Sequence, residues 1–465
     1  MTDMKQKFAA MKAAFRKQQN PGFATRDQHL SRLAELITEN TPAIIDAISA
    51  DFGHRSAIET QFGETLNALT DIKHTRKQLA KWMRVEKRHV GMHFIPAKAE
   101  VRYQPKGVVG IISPWNYPFA MAINPTIAAL AAGNRVMIKP SELTPKLSQL
   151  LSHLIAQYFE SDHVTVITGD LKVAQQFSTL PFDHILFTGS TKVGGFVMQA
   201  AAKNLTPVTL ELGGKSPAII DQNFPLQTAV EKIVSGKLFN SGQTCIAPDY
   251  VLVAKSSEAE FIKTYTETVR QFYPNIADND DFSAIISEGH FERLSGLLTD
   301  AKQKGADVIE IYPEEVGKPC NTRKMPPKLV TGINDDMKIA KEEIFGPVLP
   351  VITYETIDEA LNYIMDRPHP LAFYGFSKDN NFVEKLLHNP LAGGVCINDT
   401  LMHIVQNDLP FGGIGASGMG SYHGFDGFKT FSHAKAVFRQ SGINARKMMF
   451  PPYGKTMDKL LKMLS

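Results

Sequence analysis

Short runs of β-forming residues alternate with helical segments through the middle of this chain, and this alternation constrains the fold more than any other feature. Five runs precede residue 213, namely Val108–Ile112, Arg135–Lys139, Val164–Ile167, His184–Phe187 and Val208–Leu212. An alanine-rich helix is predicted between the first two, over Ala120–Ala132, and Gly133 closes it. Strands that alternate with helices form a parallel sheet covered on both faces. A nucleotide is expected at the carboxyl edge of such a sheet.

The same alternation begins again after Gly214. Its runs are Pro217–Ile220, Tyr250–Val253, Val348–Ile352, Leu371–Phe376 and Gly394–Ile397. We therefore predict an α/β protein with two doubly wound domains, a Rossmann-like cofactor domain and a catalytic domain.

The remaining segments differ in pattern. Residues 2 to about 85 have apolar positions at helical spacing, with breaks predicted near Pro21 and Pro42. Residues 93–106 alternate partly, as an exposed strand does, and a further strand at 436–439 could pair with it or with another subunit. The predicted division is 1–92 and 107–213 for the dinucleotide-binding domain, 214–424 for the catalytic domain, 93–106 and 425–445 for a small β oligomerisation arm, and 446–465 for a C-terminal tail.

Composition excludes several classes of protein. The 465 residues include 50 basic and 47 acidic side chains, a net charge of +3, which does not favour nucleic-acid binding. Only three cysteines occur, Cys245, Cys320 and Cys396, which argues against a disulfide framework and fits a reducing compartment. We find no CxxC or HExxH spacing, no secretory signal and no apolar run that spans a membrane. These observations predict a cytoplasmic protein without a metal site or a membrane partner.

Three separate motifs carry side chains suited to covalent carbonyl chemistry. Cys245 follows Gly-Gln-Thr in a predicted loop, where a nucleophile can meet a substrate. Glu211 ends an apolar strand at a glycine turn, and Asn116 stands between two prolines. A nucleophile, a base and an oxyanion donor are the set that such chemistry needs. A lone cysteine is more often a small buried hydrophobe, so the coincidence of the three motifs is what favours catalysis.

Two glycine-rich segments are candidate phosphate sites. The segment 413–418 has the GxGxxG letters, but neither a strand before it nor a helix after it is predicted, so we reject it. The segment 187–194 follows a strand and opens a helix. There Gly189 permits a tight turn, and Ser190 with the first helical amides can hold a pyrophosphate oxygen.

The chain resembles the aldehyde dehydrogenases over nearly its whole length. Seven motifs occur in the order typical of that family: Pro114–Pro118, Gly133–Glu142, Phe187–Ser190, Glu211–Gly214, Gly242–Cys245, Glu343–Pro347 and Pro410–Gly413. The short N-terminus, Cys245–Tyr250 and Pro451–Tyr453 resemble the class 3 group, near which the coniferyl aldehyde dehydrogenases belong.

The resemblance implies roles for the three reactive residues. Cys245 would attack the aldehyde carbon as a thiolate, and Asn116 with the Cys245 backbone N–H would stabilise the oxyanion. Hydride transfer to a nicotinamide would leave a thioester, which water activated by Glu211 would hydrolyse. The implied enzyme is a dimeric NAD(P)-dependent dehydrogenase that oxidises medium- or long-chain aliphatic or aromatic aldehydes.

Lys139 and Glu142 follow a strand and are placed to reach the adenosine ribose. The carboxylate disfavours a 2′-phosphate and the lysine attracts one, so the choice between NAD and NADP stays open. By resemblance, Glu343 holds the nicotinamide ribose and Phe345 packs against it. Tyr117 is assigned to the substrate pocket. The residues predicted to contact the cofactor are Ile112, Ser113, Pro114, Trp115, Lys139, Ser141, Glu142, Thr188, Gly189, Ser190, Val193, Gly194, Leu212, Gly213, Glu343 and Phe345.

Three alternatives remain at this point. One is an acylating dehydrogenase that passes the thioester to coenzyme A, although a carboxylate at Glu211 favours water. Another is a cysteine-dependent ester hydrolase without a redox step, which would need a histidine partner that no motif supplies. The last is a non-catalytic binding protein that keeps the fold.

Overall fold

The computed structural model describes residues 2–313, 323–444, 446 and 450–464. Cys320 lies outside the described residues, as does part of the predicted tail 446–465. The helices are α1 Thr2–Lys17, α2 Phe23–Phe52, α3 Ala57–Thr60, α4 Asn67–Trp82, α5 Ala120–Ala132, α6 Pro145–Tyr158, α7 Leu171–Ser178, α8 Thr191–Ala202, α9 Leu226–Leu238, α10 Glu258–Phe272, α11 Glu288–Gln303, α12 Lys338–Lys341, α13 Ile357–Met365, α14 Asn380–His388, α15 Gly424–Thr430 and α16 Lys455–Leu464.

The strands are β1 Glu86–Arg88, β2 Lys98–Pro105, β3 Val108–Ile112, β4 Arg135–Lys139, β5 Val164–Val166, β6 His184–Gly189, β7 Val208–Leu212, β8 Pro217–Ile220, β9 Tyr250–Ala254, β10 Asp307–Glu310, β11 Lys328–Thr331, β12 Val348–Tyr354, β13 Ala372–Phe376, β14 Gly394–Ile397, β15 Gly418–Met419 and β16 Ser432–Arg439. A π-helical turn, Gln61–Leu66, joins α3 to α4, and 3₁₀ turns cover Met92–Phe94, Phe239–Gly242, Lys255–Ser257 and Ile276–Asp278.

The first sheet has the strand order β15-β7-β6-β3-β4-β5. The five strands predicted from the sequence, β3 to β7, are parallel, and β15 adds an antiparallel strand at one edge. Every residue of β3 and β4 is buried, which explains the apolar sequence of β3 and of the middle of β4. The chain leaves β3 towards β4 and β5, then returns to β6 on the other side of β3. The switch point between β3 and β6 is where a nucleotide binds in sheets of this kind.

The second sheet has the order β10-β11-β12-β9-β8-β13-β14 and is parallel except for β10. The five strands predicted for this part of the chain are all present. The short strands β10 and β11 were not predicted. They lie at one edge of the sheet, where β10 is half-exposed and carries no long apolar run.

The third sheet joins two segments that are far apart in the sequence. β16 pairs antiparallel with β2 over eight residues, from Ser432 opposite Pro105 to Arg439 opposite Lys98, and β1 covers the other edge of β2. Of the two pairings left open for these segments, the pairing within the chain is the one observed.

Pro42 lies inside α2 and does not break it, so the break predicted there is wrong. A proline within a helix removes one backbone hydrogen bond. Here the helix is held on both sides of Pro42 by fully buried side chains, Leu36 and Ile37 before it and Ile44 and Ile48 after it. Burial of these apolar groups outweighs the missing hydrogen bond. The break near Pro21 is confirmed, since α1 ends at Lys17 and α2 begins at Phe23.

Candidate active site

One cavity of about 740 Å³ brings the predicted catalytic residues together. It opens between the carboxyl edge of the first sheet and the loop that precedes β9 of the second. Cys245, Glu211, Asn116 and Tyr117 all contribute to its wall. So do these predicted cofactor residues: Pro114, Trp115, Thr188, Gly189, Ser190, Leu212, Gly213, Glu343 and Phe345.

Cys245 sits half-buried in the loop between the 3₁₀ turn at Phe239–Gly242 and β9. Burial raises the pKa of its thiol to about 12, and the nearby carboxyl groups of Glu343 and Glu211 act in the same direction. In the protein without bound ligands the thiol is therefore protonated at neutral pH. A bound positive charge or a neighbouring base would be needed to form the thiolate.

Glu211 is buried near the end of β7. Neither carboxylate oxygen has a hydrogen-bond partner among the described residues. Because burial disfavours the charged form, it raises the pKa of Glu211 well above the usual value of 4.5. A raised pKa makes the carboxylate form of this group a stronger proton acceptor, as a general base requires.

Asn116 is buried, and its side chain is oriented by the loop that carries Cys245. Its Nδ2 donates to the backbone carbonyl of Gln243 at 3.1 Å. A primary amide has two N–H donors, so one remains for an oxygen in the cavity. The backbone carbonyl of Asn116 accepts from Arg55 Nη1 at 2.9 Å and from Asn240 Nδ2 at 3.0 Å.

Tyr117 closes the cavity wall beside this amide. Its hydroxyl and that of Thr244 are 2.7 Å apart, and its ring stacks on Phe239 with an interplanar angle of 13°. A Cβ on Gly63 would lie 2.9 Å from the Tyr117 ring, so glycine there leaves room for the ring. The wall at this position is aromatic, which suits an apolar substrate.

The carboxyl ends of β3, β4 and β6 meet at the switch point of the first sheet. Ile112 lies opposite Lys139 on one side and Phe187 on the other. Ser113 Oγ and Thr188 Oγ1 are buried there and have no partner among the described residues. Unpaired hydroxyls at a switch point fit a ligand with hydrogen-bonding groups. The residues present therefore suit a dinucleotide.

The segment 187–194 has the predicted strand–turn–helix form. β6 ends at Gly189, and Ser190 caps α8 by accepting from the Val193 backbone N–H at 3.4 Å. Val193 is exposed and Gly194 is packed against Leu212, since a Cβ on Gly194 would lie 2.7 Å from that side chain. By contrast, the segment 413–418 leads into the short strand β15 and does not open a helix, as predicted.

Lys139, Ser141 and Glu142 lie beside this edge and do not line the cavity. Lys139 is buried, its Nζ donates to Pro140 O at 2.6 Å, and burial lowers its pKa. Ser141 Oγ accepts from the Leu143 backbone N–H at 3.2 Å, and Glu142 is exposed.

Glu343 and Phe345 approach the cavity from the loop before β12. The Glu343 carboxyl accepts from the Gly214 backbone N–H, and burial raises its pKa to about 8. A Cβ on Gly213 would lie 2.1 Å from this carboxyl, so glycine permits the close approach. Phe345 has a left-handed backbone, with φ of 53°, and its ring centroid is 5.3 Å from that of Trp115.

His290 and Arg293 of α11 also line the cavity, and sequence reasoning missed both. The His290 ring meets Trp115 edge-on at 4.8 Å between centroids. Arg293 Nη1 donates to Glu343 O at 3.2 Å, and Nη2 donates to Ile344 O. The only signal was their spacing of three residues on one helix face, which an ordinary amphipathic helix also has.

The described residues contain neither a metal-binding cluster nor a helix that could span a membrane. No group of three or more His, Cys, Asp or Glu side chains in the described ranges is arranged to hold a metal ion. None of the helices that the structure describes is both long and apolar enough to cross a bilayer.

A dinucleotide-type switch point beside a cysteine, a buried carboxyl group and an oriented amide defines a nicotinamide-dependent oxidoreductase. The chain belongs to the aldehyde dehydrogenase family, whose model matches residues 1–437. It is an NAD(P)-dependent aldehyde dehydrogenase that oxidises aldehydes to carboxylic acids, which disfavours the other reaction types considered above.

Relatives of known name resemble it over nearly their whole length. A probable coniferyl aldehyde dehydrogenase of Pseudomonas aeruginosa is 50% identical over 454 residues, covering 98% of this chain and 94% of the relative. The 4,4′-diaponeurosporen-aldehyde dehydrogenase of Staphylococcus aureus is 40% identical and covers 97% of each chain. A solved structure, the substrate-bound state of Staphylococcus aureus AldH, is 38% identical with a TM-score of 0.93 and covers 99% of each chain.

Proposed function

We propose that Cys245 is the nucleophile of this aldehyde dehydrogenase. The single observation that carries the proposal is that its thiol shares one cavity with Glu211, Asn116 and the switch-point residues. The thiol proton passes to solvent, the thiolate sulfur adds to the aldehyde carbon, and the π electrons of the carbonyl move to its oxygen, which becomes an oxyanion. The free N–H of Asn116 and the Cys245 backbone N–H stabilise that oxygen, and one such donor is typically worth about 3 kcal/mol.

The chemistry that NAD or NADP would supply when bound is hydride acceptance, which would oxidise the thiohemiacetal carbon to a thioester on Cys245 as its oxyanion becomes a carbonyl. Ser113, Thr188, Gly189 and Ser190 would hold the phosphates and ribose of the cofactor at the switch point, and Glu343 with Phe345 would hold its nicotinamide half. The assignment rests on the unpaired buried hydroxyls and on the close approach of Glu343 to Gly213.

Glu211 is proposed as the base for the second half of the reaction. The thioester carbon left on Cys245 is attacked by water, whose proton passes to the Glu211 carboxylate, and the thiolate leaves. Support comes from its burial, its unpaired oxygens and its raised pKa, each of which makes the carboxylate form of Glu211 a better proton acceptor.

For the substrate, we propose an aromatic or long apolar aldehyde, with a hydroxylated aromatic aldehyde such as coniferaldehyde as the first choice. One face of α9 lines the cavity with Lys232, Ser235 and Gly236, and Phe239 continues the same ridge towards Cys245. Lys232 Nζ lies 3.1 Å from Asp399 Oδ2, and both side chains are partly exposed in the cavity. Lys232 and Phe239 are about 10 Å apart along the ridge, which suits a substrate with a polar group at the end far from its aldehyde.

A substrate panel tests this choice. We expect kcat/KM for coniferaldehyde to exceed that for cinnamaldehyde, which lacks the ring oxygens, by about fivefold, as one hydrogen bond of about 1 kcal/mol provides. Lys232→Met should remove the preference and leave the rate with cinnamaldehyde nearly unchanged. Lys237→Met is not a suitable control because Lys237 is buried. The control is Lys263→Met, at an exposed position of α10. Equal rates for both aldehydes, or hexanal preferred over each, would refute the choice. Running the panel with NAD⁺ and NADP⁺ separately determines the cofactor.

The proposed assembly is a homodimer in the cytoplasm. Phe438 of the three-stranded sheet and Phe94 of the 3₁₀ turn before β2 are 54% and 51% exposed, which suits a subunit contact. The two described cysteines, Cys245 and Cys396, are free thiols, which fits a reducing compartment. Light scattering of the native protein and of Phe438→Ser tests the dimer: a native monomer would contradict it. Cell fractionation tests the location.

A further inference from the structure

Asn240 has an unusual backbone and a buried side chain close to the proposed nucleophile. It lies five residues before Cys245 with φ of 53° and ψ of 33°, and Ser241 follows with nearly the same values. Left-handed conformations are uncommon outside glycine, although asparagine tolerates them better than most residues. Asn240 is fully buried, and its backbone N–H donates to Glu59 Oε2 at 3.0 Å.

The side chain of Asn240 joins two pieces of the site. Its Nδ2 donates to the backbone carbonyl of Asn116 at 3.0 Å and to the backbone carbonyl of Gln243 at 3.2 Å. The same Gln243 carbonyl accepts from the Asn116 side chain at 3.1 Å. Asn240 therefore uses both of its amide hydrogens to hold the backbone of Asn116 against the carbonyl that orients the Asn116 side chain.

Hydrogen bonds from its own side chain hold Gln243 in place. Its Nε2 donates to Asn240 O and to Ala284 O, each at 3.0 Å, and its Oε1 accepts from the Ile286 backbone N–H at 3.0 Å. The carbonyl that receives both asparagine amides thus belongs to a loop held on two sides. An amide oriented in this way needs no reorganisation when an oxyanion forms.

We infer that Asn240 is a positioning residue for the oxyanion: it acts through Asn116, aiming the remaining N–H of that side chain at the oxygen that Cys245 creates. The inference rests on the proposed roles of Asn116 and Cys245. Misplacement of a reacting group by about 1 Å can cost 100-fold in rate, so removal of the Asn240 amide should affect the chemical step and spare cofactor binding.

Asn240→Gly tests the inference, with Ser241→Gly as its matched control. Glycine adopts the left-handed conformation at both positions without strain. Ser241 Oγ donates to Ser283 O and is not hydrogen-bonded to Asn116. We expect Asn240→Gly to lower the rate of the first turnover roughly 10- to 100-fold, with the KM for cofactor and the alkylation rate of Cys245 unchanged. Ser241→Gly should stay within about threefold of the native rate.

A double-mutant cycle separates positioning from a general structural effect. In an Asn116→Ala background, Asn240→Gly should cost almost nothing more, because the N–H that it aims is gone. The inference would be overturned if the rate losses of the two single substitutions multiplied in the double variant. It would also be overturned if Asn240→Gly and Ser241→Gly lowered the rate equally. Either outcome would leave the role of Asn116 intact. Full activity of Asn116→Ala would instead remove the proposed oxyanion donor, and the inference with it. Should the glycine variant not fold, Asn240→Asp has the same shape and tolerates the same backbone but lacks the N–H donors, and the same cycle applies.

Discussion

Gly418 lies directly opposite Glu211 in the antiparallel pairing of β15 with β7. The pairing continues next to the strand, where the Leu212 backbone N–H donates to Ser417 O at 3.0 Å. A Cβ on Gly418 would lie 2.2 Å from Leu210 O, and its φ of +147° is a value that side chains rarely permit. The chain thus returns from the second sheet to cover the strand that carries Glu211, and only glycine fits that contact.

Gly418→Ala is expected to destabilise the protein by about 1–3 kcal/mol, since the new Cβ overlaps a backbone oxygen and strains the residue. Denaturant unfolding measures the loss. Gly415→Ala is the matched control in the same loop: it also has a positive φ, of +63°, but its Cβ would meet only the His369 ring at 3.5 Å. Equal losses of unfolding free energy in the two variants would show that the close contact of residue 418 with β7 does not cause the destabilisation.

Replacing the proposed nucleophile should abolish oxidation. We expect Cys245→Ala to lower kcat by roughly 10⁴-fold or more, as removal of a nucleophile does elsewhere, with cofactor affinity within about twofold of the native value. Cys396→Ala, a half-buried thiol on β14, is the control and should retain activity. Steady-state rates and a cofactor titration measure both quantities. Substantial oxidation by Cys245→Ala would contradict the assignment.

Removing the proposed base should stall the reaction after the first hydride transfer. Glu211→Gln keeps the shape of the side chain but cannot accept a proton, so we expect a burst of reduced cofactor followed by turnover about 10²- to 10⁴-fold slower. Intact-protein mass spectrometry should detect acylated protein during that slow phase. Normal turnover without accumulated acyl protein would assign the water-activating role to another group.

The same substitution should alter how stability depends on pH. Below about pH 4, Glu211 is protonated in both the folded and the unfolded protein, so Glu211→Gln changes stability little. As pH rises through 4.5, the usual value, the carboxyl ionises in the unfolded chain, whereas burial keeps it protonated in the fold. Native stability is therefore lost between 4.5 and the raised pKa, and Glu211→Gln avoids that loss.

Relative to its effect at pH 4, Glu211→Gln should therefore raise the free energy of unfolding at pH 7.5, because the glutamine carries no carboxyl group to ionise in the unfolded chain. Glu267→Gln, which removes an exposed carboxyl on α10, should show no such gain. Denaturant unfolding at both pH values measures it. If the two substitutions changed the free energy of unfolding equally at pH 7.5, Glu211 would be ionised in the folded protein without a loss of stability.

Several elements were predictable because one local cause decided them. The strand β3 is buried on the sheet and is apolar throughout, and β4 and β7 are buried and rich in apolar β-formers. Gly133 ends α5 because its φ of +92° requires glycine. The edge strands β10 and β11 lack such runs, so no pattern marked them. The helix break predicted at Pro42 was wrong because the helix-breaking tendency of proline is local, whereas the packing that overrides it involves residues from other elements.

The sequence alone determined the two α/β halves, the strand–turn–helix at 187–194 and the candidate identities of Cys245, Glu211 and Asn116, because strand burial, turns and motif spacing act between neighbours along the chain. Only the tertiary structure decided that these three side chains share one cavity, that His290 and Arg293 join them, and that Asn240 ties Asn116 to Gln243. Several of those relations connect residues that are distant in the sequence, as Asn116 and Gln243 are, which lie 127 positions apart. They depend on how the two sheets pack against each other, which no local pattern encodes.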